Sequence, residues 1–345
     1  VTQKIAIVGE AWGEQEEQQR APFVGPSGWE LNKMLAEAGI HRADCFMTNV
    51  FNLRPPGGND VINLCADKSG GLAGFGPLKP GKFVKAEYGP ELGRLFGELI
   101  STSPNIIIAL GNTATWAICG TSGISKIRGS VTLGTGKVSK LKVIPTFHPA
   151  AILRDWSLRP VTVLDLAKAK RESAFPEIRR PERVVYIEPT LEEMEWYFDE
   201  YLADARQISF DIETRGDQIT CIGFAPDERS ALVVPFTDLR AVAPDHVGSY
   251  WATRDLEILA WGFVRRVLSL PCPKFGQNTL YDINFLWVKY GITVVNYADD
   301  LMLLHHALQP ESLKGLGFMG SVYTNESSWK LLNSKKKTTT IKRDA

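Results

Sequence analysis

The chain is poor in cysteine: five residues in 345, Cys45, Cys65, Cys119, Cys221 and Cys272, with no C-x-x-C pair among them. That scarcity argues against zinc ribbons and disulfide frameworks, and a reducing compartment is the simplest setting. Long hydrophobic runs are missing too. Nothing approaches the roughly 18–20 apolar residues of a membrane span, and the opening run is strand-like rather than a signal peptide. The expectation is a soluble, intracellular protein with no membrane partner. Net charge is also absent, with 39 Lys and Arg against 39 Asp and Glu. The balance conceals an asymmetry, because residues 1–180 carry 22 basic against 16 acidic side chains and residues 181–345 carry 17 against 23. A basic half suits a polyanionic partner; an acidic half suits solvation or carboxylates gathered around metal ions.

What is present alternates strand and helix. Lys4–Val8 is a continuous apolar run leading into the turn Gly9-Glu10-Ala11-Trp12-Gly13, the layout of an α/β domain's first ligand loop. Trp29–Ala38 has helical spacing and stops near Gly39. Cys45–Asn49, Ile106–Leu110 and Val143–Thr146 read as strands, Pro90–Ser101 and Leu164–Ser173 as helices. The fold class is therefore α/β, with an N-terminal three-layer α/β/α domain built on a mainly parallel sheet. Residues 55–89, rich in Gly, Pro and Lys, read as a long, mobile surface loop. Pro176 and Pro181 set a domain boundary near Ile178. A second α/β pattern follows: a strand from Val184, an acidic helix Leu191–Leu202, paired strands Gln207–Phe210 and Gln218–Phe224, and helices over 255–268 and 279–290. The domains are read as 1–177 and 178–333, with 334–345 a basic disordered tail.

Several chemistry-bearing residues stand at strand ends of the first half. Phe23, in APFVGPSG, offers a floor on which one flat ring can stack. Asn49, in MTNV, offers a donor and an acceptor to an amide-like edge. His148, in PTFHPA, is placed to donate to a developing oxyanion, and Glu10, in VGEAWG, to hold a water or face a cationic sugar. Taken singly, Phe23 is ordinary core and His148 an ordinary satisfied histidine. Taken together, VGEAWGEQEEQQRAPFVGPSG, TNVFNLRPPG, IIIALGNTA and PTFHPAAILR, in that order over residues 4–172, resemble the uracil-DNA glycosylases of the superfamily's fourth, iron–sulfur family. The resemblance implies that Glu10, Phe23, Asn49 and His148 line a uracil pocket, with water replacing uracil to leave an abasic site. Arg154, Arg20 and Ser27 are placed to contact phosphates, and Ile152 or Leu153 to wedge into the stack where the flipped base was; for the arginines a solvated surface role is the alternative.

Two positions depart from that family. No C-x-x-C precedes the first strand, and Leu53 stands where the family reads Cys-Arg-Pro-Pro, so no iron–sulfur cluster is expected. Trp12 stands where the family places proline, and its indole is expected to alter base choice or weaken catalysis.

In the second half, QISFDIET puts Asp211 and Glu213 on one face of a strand, since side chains alternate with period two. Asp282, in NTLYD at the start of a helix, is placed to complete a site of oxygen ligands for Mg²⁺ or Mn²⁺. With FGQNTLYDINFL and DDLMLLHHALQPESLKGLGF, these residues resemble the 3′–5′ exonuclease domain of family A DNA polymerases, which implies a ribonuclease H-like fold. That pattern requires a later Tyr-x-x-x-Asp, and Tyr323 is followed four residues on by Ser327. Asp300 reads as the cap of a helix over 301–308. The domain is expected to be incomplete and its nuclease activity weak or absent.

The leading expectation is a uracil-DNA glycosylase fused to an exonuclease-like module. Its partners would be uracil-containing DNA and a DNA polymerase or replication complex, in the cytoplasm of a bacterium or an infected bacterial host such as a phage provides. The alternatives are a non-catalytic, uracil-sensing DNA-binding module of a replication protein, and the front part of a family A polymerase with 3′–5′ exonuclease activity.

Overall fold

The computed structural model describes residues 3–243 and 246–326. They form two compact units, one of residues 3–180 joined by 317–326, the other within Pro181–Leu316. The expected tail 334–345 lies outside the described residues. Among the described residues no helix is long and apolar enough to cross a membrane.

Unit 1 is a three-layer α/β/α domain. Its elements are β1 (Ile5–Ala11), α1 (Glu14–Gln19), α2 (Pro26–Glu37), β2 (Cys45–Phe51), α3 (Gly89–Thr102), β3 (Ile106–Leu110), α4 (Gly111–Cys119), β4 (Thr132–Leu133), β5 (Lys142–Thr146), α5 (Pro149–Ile152) and α6 (Arg159–Glu172). The sheet order is β2-β1-β3-β5-β4, parallel except for the short edge strand β4. Ile5–Val8, β3 and β5 are buried throughout, as strands covered on both faces must be. Their alternation feeds two cores. Ala6, Val8, Ile107 and Ala109 meet Leu92, Leu95 and Phe96 of α3 and Ala114 and Trp116 of α4. Ile5, Ile7, Ile106 and Ile108 meet Leu31, Met34 and Leu35 of α2 and Leu166 and Ala169 of α6. Pro26, Pro90, Pro149 and Pro160 each occupy the first turn of a helix, where the missing amide costs nothing.

The strand order reverses between β1 and β3, so the chain leaves these neighbours toward opposite faces and opens a crevice at their carboxyl ends. The long segment after β2 is held by short elements: single helical turns at Val61–Leu64 and Lys68–Gly70, and paired two-residue strands Cys65–Ala66 and Phe83–Val84.

Unit 2 contains β6 (Val184–Ile187), α7 (Leu191–Tyr197), β7 (Ile208–Arg215), β8 (Gln218–Ala225), β9 (Ser230–Pro235), α8 (Arg254–Ser269), β10 (Lys274–Gly276), α9 (Thr279–Tyr290), β11 (Tyr297–Asp300) and α10 (Leu301–Leu308). The sheet order is β11-β10-β7-β8-β9-β6. β7, β8 and β9 form an antiparallel meander, while β10 and β11 run parallel to β7. These are the order and directions of a ribonuclease H-like sheet. The helix expected over Leu191–Leu202 is α-helical only to Tyr197 and continues as a wider π turn, Phe198–Leu202.

Residues 317–326, expected to help close the second domain, belong to unit 1 instead. Helix α11 (Leu316–Tyr323) and the two residues after it cover four buried charges there, Arg128, Asp165, Lys168 and Glu172. Arg128 donates to both carboxylate oxygens of Asp165 and, at 3.0 Å, to Ser321 Oγ. Lys168 Nζ donates to the carbonyls of Gly129 (2.7 Å), Ser321 (2.8 Å) and Thr324 (2.5 Å). Asn325 donates to Glu172 at 2.7 Å. Burial pulls the Lys168 ammonium down to about 8, against the attraction of Asp165. Buried charges keep their ionised form only when paired and hydrogen-bonded, so the sequence signal for this return was the trio of charges on a helix flank, legible only with their partners in view.

Candidate active site

Glu10, Phe23, Asn49 and His148 line one cavity of about 330 Å³ at the carboxyl ends of β1, β2 and β5, together with Trp12, Glu16 and Ser27. Register explains the convergence: Gly9 of β1 lies opposite Asn49 of β2. A Cβ at Gly9 would stand 2.1 Å from Asn49 Oδ1 and 2.5 Å from Phe23 Cζ, so only glycine lets the amide and the ring lie against the β1 backbone. Asn49 is 2% exposed. Its backbone carbonyl accepts from Arg94 Nη2 at 2.9 Å, and its N–H donates to Asn52 Oδ1 at 3.3 Å. Arg94 also donates to Thr48, Glu91 and Glu98, which pins the end of β2 to α3.

Phe23 adopts a left-handed conformation, φ 57°, which a bulky residue takes only when its surroundings enforce it. Three contacts enforce it. Glu16 Oε1 accepts from the amides of Val24 (3.1 Å) and Gly25 (2.8 Å), and Arg42 donates to the carbonyls of Pro22 (2.9 Å) and Phe23 (3.1 Å). Gly28 admits the Phe23 carbonyl where a Cβ would sit 1.9 Å from its oxygen. The ring faces His148 with centroids 6.3 Å apart.

His148 caps α5: its Nδ1 accepts the Ala150 N–H at 3.2 Å. The neutral ring's proton is therefore on Nε2, leaving that nitrogen as a donor. Burial pushes the His148 pKa below its ordinary 6.5, with Arg154 adding to the effect and Glu10 and Glu16 opposing it. Glu10 Oε2 accepts from Thr113 Oγ1 at 2.5 Å. A second cavity of about 520 Å³ shares Glu10, Asn59 and His148 with the first and adds Lys79, Asn112, Thr113, Ser122 and Arg154. Glu10 and His148 thus stand at the boundary of two chambers, one aromatic and amide-lined, the other lined by cations.

The structure separates the other residues of this set. Ser27 lines the first cavity and Arg154 the second. Leu153 is 50% exposed. Ile152 is a correction: it is fully buried among the core residues between the sheet and α2 and α6, so it cannot enter a DNA stack. Trp12 lies in the wall of the first cavity, and its buried indole N–H meets no acceptor among the described residues. Arg94, Arg42, Glu16 and Thr113 escaped the sequence reading, since no local pattern marks a side chain whose partners lie beyond its own strand or helix, from 8 residues away for Glu16 to 103 for Thr113.

An iron–sulfur cluster does not fit unit 1. Such clusters need four suitable ligands. Unit 1 has three cysteines, and Leu53 packs against the core. Burial raises the Cys45 thiol to about 11 and the Cys119 thiol to about 12, as for small apolar core side chains. Among the described residues no three His, Cys, Asp or Glu side chains are grouped to hold a metal ion.

That statement reaches unit 2. Asp211 and Glu213 lie on the exposed face of β7, as their spacing demands. Asp282, on α9 and 4% exposed, turns one carboxylate oxygen to the Ile212 N–H at 2.9 Å. Asp300 caps α10 through the Met302 N–H and also accepts from the amides of Asn278 and Thr279. Burial pushes Asp282 up to about 6, with Asp211 and Asp300 adding to it; burial and then Glu213 raise Asp211. The carboxylates of Asp211, Asp282 and Asp300 feel one another across the end of this sheet.

Solved structures sharing part of this architecture include Trypanosoma brucei RNase D in complex with RNA U12, at 19% identity and a TM-score of 0.27 over 38% of this chain and 41% of that one. Brucella melitensis NrnC with bound Mg²⁺ matches at 13% identity and 0.26 over 41% of this chain and 61% of that one. This chain therefore spans less than two thirds of either. The sequence comparisons are closer and fall on the first half. The type-4 uracil-DNA glycosylase of Thermotoga maritima is 35% identical over 171 residues, 48% of this chain and 76% of that protein. That of Archaeoglobus fulgidus is 32% identical over 170 residues, covering 48% and 74%. Residues 1–176 match the family model described as the uracil DNA glycosylase superfamily. With the four pocket residues gathered on a parallel sheet and this match over half its length, the chain belongs to the uracil DNA glycosylase superfamily.

Proposed function

We propose that unit 1 hydrolyses the N-glycosidic bond of deoxyuridine in DNA. The observation that carries this reading is the convergence of Glu10, Phe23, Asn49 and His148 on one cavity, with a cation-lined chamber beside it. A uracil taken out of the helix stacks on Phe23 while the Asn49 amide reads its edge. As the bond to the sugar breaks, negative charge collects on the base, and His148 Nε2–H is a fixed donor for it. A neutral imidazole serves here without a prior proton loss. Glu10, at the chamber boundary, faces the position where the sugar becomes cationic and where a water must attack. Lys79 and Arg154 suit the sugar-phosphate side, Ser27 a flanking phosphate, and Leu153 the space left in the stack.

Unit 2 acts in this reading as a DNA-gripping module with weak or no nuclease activity, near a polymerase or replication complex. Trp12 favours a second reading, a uracil-sensing module without catalysis, because its buried, unpartnered indole N–H stands in the pocket wall. One assay separates the two. The chain is incubated with a labelled oligonucleotide carrying a single deoxyuridine, then treated with alkali, beside His148→Ala and Asn49→Ala. The expected result is cleavage at uracil alone, reduced at least a hundredfold in each variant. Binding without cleavage would replace catalysis with sensing.

A further inference from the structure

We infer that Thr113 is a positioning residue that fixes the Glu10 carboxylate at the boundary of the two chambers. The inference rests on the glycosylase reading above and deepens it.

Thr113 is the third residue of α4, 2% exposed, and belongs to the strand–helix connection directly across the crevice from the end of β1. Its hydroxyl donates to Glu10 Oε2 at 2.5 Å, within the range of a hydroxyl bonded to a carboxylate. The neighbouring threonine shows what a helical hydroxyl ordinarily does: Thr115 Oγ1 donates back to the Gly111 carbonyl of its own helix at 2.7 Å. Thr113 has turned away from its helix toward another element. No other hydrogen bond to the Glu10 side chain is formed among the described residues.

Glutamate has three side-chain torsions, and a carboxylate without an anchor spreads over several rotamers. The β-branched Thr113, buried between sheet and helix, has no such freedom. One short bond to a rigid donor therefore selects the Glu10 rotamer that faces both cavities. The donor does not approach the base cavity itself, since Thr113 lines only the second chamber. Its contribution passes through Glu10, so it should appear in turnover and leave base binding alone.

The test compares the full chain with Thr113→Val, which keeps the branched shape and deletes the donor, and with Thr113→Ser, which keeps the donor. Single-turnover uracil release from a deoxyuridine oligonucleotide should slow about ten- to a hundredfold in Thr113→Val with KM unchanged, and return to within a few-fold in Thr113→Ser. In a Glu10→Gln background the Thr113→Val change should cost little further, because the two act as one unit. Thr113→Ala serves in the same cycle if valine does not fold, with melting temperature recorded for every variant. Equal losses in the presence and absence of Glu10, or an unchanged rate in Thr113→Val, would overturn the positioning role and leave the glycosylase reading standing. No uracil release from the unaltered chain would remove both.

Discussion

Two sets of acidic and polar side chains are placed by the same rule in the two units, at strand ends and helix starts, and they reach different states. In unit 1, Glu10, Phe23, Asn49 and His148 come from separate strand ends and connections yet line one cavity, each held by a backbone or side-chain partner. In unit 2, Asp211 and Glu213 share a face, but Asp282 is bonded to the Ile212 amide and Asp300 to three amides. A pocket for a neutral ring can be complete in the protein alone. Crowded, partly buried carboxylates accept from backbone N–H groups where they can, and burial and one another's charge push their pKa upward. Sequence spacing decides which face a residue takes; what it is bonded to decides whether it is available.

The largest expected effect bears on the completeness of the first pocket. Gly9→Ala should reduce uracil release at least a hundredfold, because its Cβ displaces both Asn49 and Phe23 and reacting groups tolerate about 1 Å of misplacement poorly. Asp211→Ala in unit 2 should leave that rate unchanged. An active Gly9→Ala would dissolve the contrast. Ending the chain after Leu316 should destabilise unit 1 by about 3–5 kcal/mol, since Lys168 loses two carbonyl acceptors and Arg128 its cover, while the unfolding transition of unit 2 stays in place by calorimetry.

Acid should move the two units in opposite directions. His148 has a folded pKa below its ordinary 6.5, so the stability it confers as a neutral ring is full above 6.5 and lost as pH falls from there toward the lowered value. Asp282 has a folded pKa of about 6 against an ordinary 3.8, so unit 2 gains stability as pH falls through 6. Thermal melts at pH 7.5 and 5.5 in EDTA should show the first transition falling and the second rising, each slope vanishing in His148→Ala or Asp282→Asn. Transitions that move together would contradict the assignment. Trp12→Phe, which removes an indole N–H with no acceptor, should change stability by less than about 1 kcal/mol or raise it. On a 3′-labelled single strand with Mn²⁺, shortening should be slight; robust digestion lost in Asp211→Ala would show that the second set of carboxylates is complete after all.

Most of the first sheet could be read from the chain, because strands buried on both faces are continuous apolar runs: Ile106–Leu110 falls where it was expected, and Lys142–Thr146 within one residue. The pocket was legible through short motifs at the strand ends. Ile152 was not, since an apolar residue beside an exposed one gives no sign of which enters the core; its neighbour Leu153 carries the exposure. The amide commitments of Asp282 and the hydroxyl of Thr113 depend on contacts 70 and 103 residues distant, beyond any local pattern. The return of Gly317 to unit 1 is of the same kind.

That return also orders events during synthesis. A ribosome delivers residues 1–180 first, but the acceptors of Lys168 and the partner of Arg128 emerge only after all of 181–316. The glycosylase-like body must therefore wait, its flank still open, until the intervening module has left the exit tunnel. The module is a continuous stretch and can close as soon as it appears. The second-made piece is free to finish first, and a nascent chain stalled between 181 and 316 would display charges that the finished protein keeps covered.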